Sequence, residues 1–248
     1  MINVKLTIKY EGTKYYGWQR QKNFLSIQKI IEEKVSKMTN EEIKIKGSGR
    51  TDAGVHALGQ VANFKTNSNI PIQKIPFTLN NLLPDDIRIK RAEEVDDDFH
   101  ARYSAISKIY HYYIFNSDRD HFYPSFFLNK YVYYIHKNID ILKMKKAGKL
   151  VLGEHDFSSF SCSGSVIKNP IRNLKKINIK KNRKIICFQI EANAFLYKMV
   201  RGIVGILLEV GQGKIDYREI KRILEAKNRR ESGKIVPAKG LFLMQVKY

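Results

Sequence analysis

Between residues 1 and 90 the apolar spacing switches period in a fixed order, and few folds accept that order. Ile2, Val4, Leu6 and Ile8 alternate with Asn3, Lys5, Thr7 and Lys9, which describes a strand with one buried face. Ser26 then precedes Ile27, Ile30, Ile31, Val35 and Met38 at helical spacing. Ile43-Lys44-Ile45-Lys46 reads as a second strand and Gln60-Val61-Ala62-Asn63-Phe64 as a third. Pro71 to Leu83 predicts a second helix, stopped by Pro84-Asp85-Asp86, and Ile87-Arg88-Ile89-Lys90 closes the series as a strand. The order β-α-β-β-α-β is that of a ferredoxin-like, split β-α-β unit, an α+β layer with helices on one face of an antiparallel sheet.

After Phe99-His100-Ala101-Arg102-Tyr103 the composition shifts, which places a boundary near residue 103 and divides the chain into units 1–103 and 104–248. The second half repeats the theme. Lys108 to Phe115 is a strand, Asn138 to Leu152 a helix, and residues 171–194 a basic hairpin turning at Lys181-Asn182-Arg183. Tyr197 to Val210 is apolar around most of its circumference, so that helix must be buried between other elements. Asp216-Tyr217-Arg218-Glu219 has capping-box-like spacing ahead of Ile220, Ile223 and Leu224, and Gly240 to Tyr248 predicts a last strand. The expected architecture is two tightly joined ferredoxin-like α+β units around a basic cleft.

Charge narrows the partner. The chain of 248 residues carries a net +21. Residues 101–248 hold 29 basic against 11 acidic side chains, net +18, while residues 1–100 carry only +3. A one-sided basic excess suits a polyanion bound through phosphates. Because the excess is mostly lysine, codon bias offers a second explanation, and charge alone leaves the partner open. Cys162 and Cys187 are too far apart for a paired metal motif and read as reduced thiols. The histidines have no metal-ligand spacing, and Asp96-Asp97-Asp98 reads as a solvated turn, since three adjacent carboxylates cannot all face one ion. No apolar run is long enough to span a bilayer, nor is there a secretory leader. The expectation is a cytoplasmic protein with no metal and no cofactor.

The stretch from Gly47 to Phe64 is where chemistry is expected. A glycine-rich connection there carries Arg50 and Asp52, and Asp52 is the only acidic residue between Glu42 and Asp85. An Asp before Ala-Gly is most often a turn residue bonding its own backbone. A phosphate loop is excluded, because no Gly-Lys-Ser/Thr follows the glycines and a G-x-G-x-x-G frame would need Gly where Asp52 stands. Upstream, Tyr15 to Gln21 forms an aromatic-basic loop that offers Trp18 either to bases or to the core.

Gly49-Arg50-Thr51-Asp52-Ala53-Gly54-Val55-His56-Ala57 resembles the signature of the TruA family of tRNA pseudouridine synthases. Further matches follow in the family's order. They are Tyr10-Glu11-Gly12-Thr13 with Gly17-Trp18-Gln19-Arg20-Gln21, Phe99 to Ala105, Lys108-Ile109-Tyr110, Gly153 to Phe157, Phe195 to Arg201 and Pro237 to Leu241. The chain departs at Ile109 and His111, where many members carry basic residues, so no backbone contact is assigned there.

The resemblance implies an isomerase that cleaves the N-glycosidic bond of a flipped uridine, turns the base and rejoins it through C5. Its implied substrate is the anticodon stem-loop of tRNA at positions 38, 39 and 40, bound by a homodimer. Asp52 is then the catalytic carboxylate, attacking the nucleotide or abstracting a sugar proton. Burial under a base would raise its pKa, so a cation is needed beside it. The resemblance assigns that part to Arg201, with a helix-surface phosphate contact as the other reading. At about 4 Å and an effective dielectric near 20 such a pair is worth roughly 4 kcal/mol before desolvation. Tyr110 offers a face to the uracil and a hydroxyl for the C5 proton; its other reading is a core aromatic. Arg50, Arg20 and Lys198 join Tyr110 as substrate-binding residues, while His56 and His155 are read as structural.

Two rivals remain at this point. A non-catalytic RNA-binding protein would carry clustered sheet aromatics on an RRM-type motif, which Tyr110 to Phe115 only faintly imitates. A metal-dependent nuclease would need a second carboxylate near Asp52 in sequence.

Overall fold

A computed structural model describes residues 1–117, 123–162 and 169–248. The chain is α+β and packs as two compact units. One comprises Met1–Ile106 together with Phe242–Tyr248, the other Ser107–Leu241. The linear reading draws its line at residue 103 and keeps the last strand with the second half; nothing in the sequence of that strand marks its return.

In the first unit the elements run β1 (Ile2–Tyr10), α1 (Ile27–Thr39), β2 (Lys46–Gly47), β3 (His56–Thr66), α2 (Ile75–Leu82) and β4 (Ile87–Val95). β1 lies between β4 and β3 and is antiparallel to both, and β2 pairs antiparallel with β3. β10 (Leu241–Lys247) lies parallel to the start of β3, with Phe242 opposite His56 and Leu243 opposite Ala57. Val4, Leu6 and Ile8 point inward with Phe64, Ile31, Val35 and Leu79, as the alternation in β1 requires. The predicted strand at residues 43–46 shrinks to Lys46–Gly47. Ile43 and Ile45 are buried nonetheless, with Ile45 N–H bonded to the Glu32 carboxylate instead of a neighbouring strand. The predicted second helix opens with a 3₁₀ turn, Ile72–Lys74, before α2.

The second unit has β5 (Ser107–Asn116), β6 (Tyr133–Ile135), α3 (Ile141–Lys149), β7 (Gly153–Asp156), β8 (Ile171–Asn182), β9 (Ile185–Ala192), α4 (Met199–Gly211) and α5 (Glu219–Glu225). β9 is antiparallel to β5 and β8, β7 is antiparallel to β8, and β6 runs parallel to β5. α3 begins three residues later than expected because Asp140 caps it, accepting from Lys143 N at 2.9 Å. The capping-box spacing at 216–219 does not close. Asp216 instead accepts from Arg218 N at 2.8 Å, and α5 starts after it. α4 is buried around nearly its whole circumference, as its composition requires.

Candidate active site

The Asp52 loop is held by the segment that follows β1. Tyr10 reaches Thr51 through a buried hydroxyl pair at 2.8 Å. Trp18 N–H donates to Thr51 O at 3.1 Å and Gly54 N–H to Tyr15 O at 3.3 Å. Asp52 O accepts from Val55 N at 3.1 Å, closing a turn whose third residue, Gly54, has φ +77°. Gly17 also takes a positive φ, +82°, and a Cβ there would stand 2.3 Å from Thr51 O. Both turns therefore need glycine. From the other side Gln60 locks the approach to the loop, accepting from Ser48 Oγ at 2.6 Å and donating to Gly49 O at 3.0 Å. The result is a fixed backbone on which Asp52 is half-buried.

Trp18 is 2% exposed and lies against Gly47, so it packs in the core. His56 Nδ1 accepts the Gly12 amide at 3.0 Å, and its ring stacks on Phe242 at 4.6 Å. A nitrogen that accepts a backbone N–H carries no proton, so the nearby Glu11 carboxylate at 3.9 Å makes no ion pair through it.

Arg50 and Arg20 belong to one polar chain. Arg50 Nε donates to Gln19 Oε1 at 3.1 Å, and Gln19 Nε2 donates to Gln28 Oε1 at 2.9 Å. Gln28 Nε2 in turn donates to Glu32 Oε1 at 3.1 Å, and Arg20 Nη1 pairs with Glu32 Oε2 at 3.1 Å. Sequence reasoning passed over Gln19, Gln28, Glu32 and Gln60. An available signal was the i, i+4 spacing of Gln28 and Glu32 on α1, which puts both on one face.

In the second unit Tyr110 sits on β5, 7% exposed, with Phe195 edge-on at 5.1 Å. Residues 195–198 lead into α4 without being helical, so the helix expected from Tyr197 begins two residues later. Lys198 caps α4 with φ +60°, and its ammonium lies 4.8 Å from the Tyr197 ring centre. Arg201 is therefore in the first turn of α4, and its Nε donates to Val236 O at 2.8 Å. A cation at the positive end of a helix is disfavoured by about 0.3–1 kcal/mol, which a nearby anion offsets. Next to it Tyr112 donates to Pro237 O at 2.8 Å; burial pushes its phenol up, with the charge of Arg201 pulling the other way. Among the described residues no group of three or more His, Cys, Asp or Glu side chains is placed to hold a metal ion.

The sequence profile of the tRNA pseudouridine synthase family matches residues 6–104 and 147–248. The chain belongs to that family. It is an enzyme that isomerises uridine to pseudouridine in tRNA. The resemblance to the TruA family holds over the full length. The protein called tRNA pseudouridine synthase A from Acetivibrio thermocellus is 48% identical over 248 residues, all of both chains. Its namesake from Clostridium kluyveri is 47% identical over the same span. A solved H/ACA RNP bound to a substrate RNA containing 2′-deoxyuridine overlaps 83% of this chain and 44% of its own, at 12% identity and a TM-score of 0.39. That overlap is too loose to add to the family assignment. Arg20, Arg50, Asp52, Lys198 and Arg201 fall inside the family-matched spans, and Tyr110 falls between them. No helix among the described residues is long and apolar enough to cross a membrane.

Proposed function

We propose that this synthase acts on positions 38, 39 and 40 of the tRNA anticodon stem-loop, with Asp52 as its catalytic carboxylate. The observation that carries this reading is the Asp52 loop itself. Backbone hydrogen bonds hold it on one side and the Gln60 side chain on the other, two of its turns require glycine, and Asp52 stays partly accessible. Such fixation is what a reacting group needs when a flipped base must meet it in one geometry. The ionised carboxylate either attacks the nucleotide covalently or removes a sugar proton, and both routes break the bond between C1′ and N1 of uracil. The freed base turns and C5 joins C1′, which releases the carboxylate on the covalent route and returns the sugar proton held by Asp52 on the other; the C5 proton then leaves while N1 takes one up, so atoms balance without any added group.

Arg201 is the proposed counter-ion of Asp52. Its position at the positive end of α4 calls for an anion, and Asp52 is the one the chemistry requires to stay charged. Tyr110 is proposed to stack on the turned uracil and take the C5 proton; a rigid aromatic with Phe195 edge-on against it suits that task. Arg20, Arg50 and Lys198 are assigned to the RNA. The same reading takes the two units as ferredoxin-like halves around a basic cleft, in a cytoplasmic homodimer.

Asp52→Asn tests it. The variant is expected to bind unmodified tRNA transcript as the parent does and to form no pseudouridine; retained activity would remove Asp52 from the chemistry. Arg201→Ala is expected to lower kcat sharply. Should only affinity and its salt dependence change, Arg201 is a phosphate contact.

A further inference from the structure

A buried carboxylate stands behind Arg20 and Arg50, the two first-unit arginines assigned to the RNA. Glu32 is 4% exposed in the middle of α1. Burying a carboxylate is costly unless it is fully bonded, and this one is. Oε1 accepts from Ile45 N and Gln28 Nε2, each at 3.1 Å, and Oε2 takes Arg20 Nη1 at 3.1 Å. Gln28 Oε1 then receives both the Arg20 backbone N–H and Gln19 Nε2, each at 2.9 Å, and Gln19 Oε1 receives Arg50 Nε at 3.1 Å.

The two cations differ in how they are tied. Arg20 is gripped at one terminal nitrogen on a side chain 55% exposed. Arg50 is gripped at Nε and is exposed. Both side chains are exposed, and the planar fork of a guanidinium matches a phosphate. A pair held only to neutralise Glu32 would need one arginine. Gln19 and Gln28 carry the fixation on to a second one, 30 residues further along the chain.

We infer that Glu32 is a positioning residue for tRNA binding, which through Gln28 and Gln19 sets Arg20 and Arg50 as a paired clamp on backbone phosphates. This rests on the assignment of the two arginines to the RNA. Orientation and charge have opposite signs here. Removing the negative charge beside Arg20 strengthens attraction to phosphate, whereas removing the anchor lets the guanidinium swing and weakens it.

The test measures binding of an unmodified tRNA transcript in the Asp52→Asn background, at several salt concentrations. Binding there is independent of turnover, so a failure of the clamp is separate from a failure of the catalytic assignment. Glu32→Gln is expected to weaken binding about tenfold and to flatten the salt dependence by about 0.7–0.9 per lost phosphate contact. With Asp52 restored, it should raise KM more than it lowers kcat, and Glu32→Asp should recover part of the loss. With Arg20→Ala and Arg50→Ala already present, Glu32→Gln should change affinity no further. Tighter binding by Glu32→Gln, or an equal loss in the background lacking both arginines, overturns the inference. So does a lowered melting temperature with affinity and salt slope intact. If Glu32→Gln fails to fold, Gln19→Ala carries the test, because it leaves the buried charge alone. It should flatten the salt slope by the share of Arg50, and an unchanged slope again overturns the inference.

Discussion

Gly17 and Gly54 show how narrowly the Asp52 loop is specified. A side chain at residue 17 would face both a left-handed backbone and the Thr51 carbonyl, 2.3 Å from the new Cβ. Gly17→Ala is expected to cost about 1–3 kcal/mol from the backbone conformation, with more from the overlap. Denaturant unfolding measures it, and pseudouridine formation should fall further than the folded fraction because Thr51 adjoins Asp52. At this scale the sequence was informative where a residue has only one use. Gly54 after Asp52-Ala53 reads as a turn, and it is one. It was silent where the partner lies far along the chain. His56 accepting from Gly12 and Gln60 bridging Ser48 with Gly49 depend on β3 lying beside β1 and the loop, which no local pattern reports.

Among the elements, α4 carries the heaviest constraint. Its glycines are contact points: a Cβ on Gly205 would come within 1.9 Å of Lys234 O, two residues before the carbonyl that receives Arg201 Nε. Gly205→Ala is expected to destabilise the protein by about 1–3 kcal/mol, as overpacking does. It should also lower kcat by pushing residues 234–236 away from Arg201. Melting curves and steady-state kinetics check the two parts separately. The apolar circumference of α4 was legible because composition alone forces burial. The failure at residues 43–46 has a physical cause. Alternation predicts a strand, but Glu32 supplies the hydrogen bond that a partner strand would have given to Ile45, so most of that segment runs without a ladder. The helix expected over 138–152 is shorter at both ends: Asp140 caps its start, and α3 stops at Lys149.

Across the whole molecule, buried phenols set an alkaline limit. Burial raises Tyr10, Tyr15, Tyr112 and Tyr113, Tyr113 to about 12. A group with a raised folded pKa contributes its full stability below the unfolded value, about 10 for tyrosine. That contribution is lost as pH rises toward the folded value, because the unfolded chain then binds fewer protons. The melting temperature is therefore expected to fall steeply from pH 10 to 12, with tyrosinate absorbance appearing together with loss of ellipticity. A flat profile over that range would mean that these phenols ionise in the folded state. The α+β class was legible from the order of periods; the pairing of β10 with β3 was not, since nothing in residues 241–247 names a partner more than 180 positions away. That pairing bears on synthesis at the ribosome. Until translation has passed Phe242, His56 lacks the ring it stacks on, and the start of β3, next to Asp52, has a bare parallel edge. Everything from Ser107 to Leu241 must be made in between, so the loop that carries Asp52 stays without this neighbour through more than half of the chain's own production.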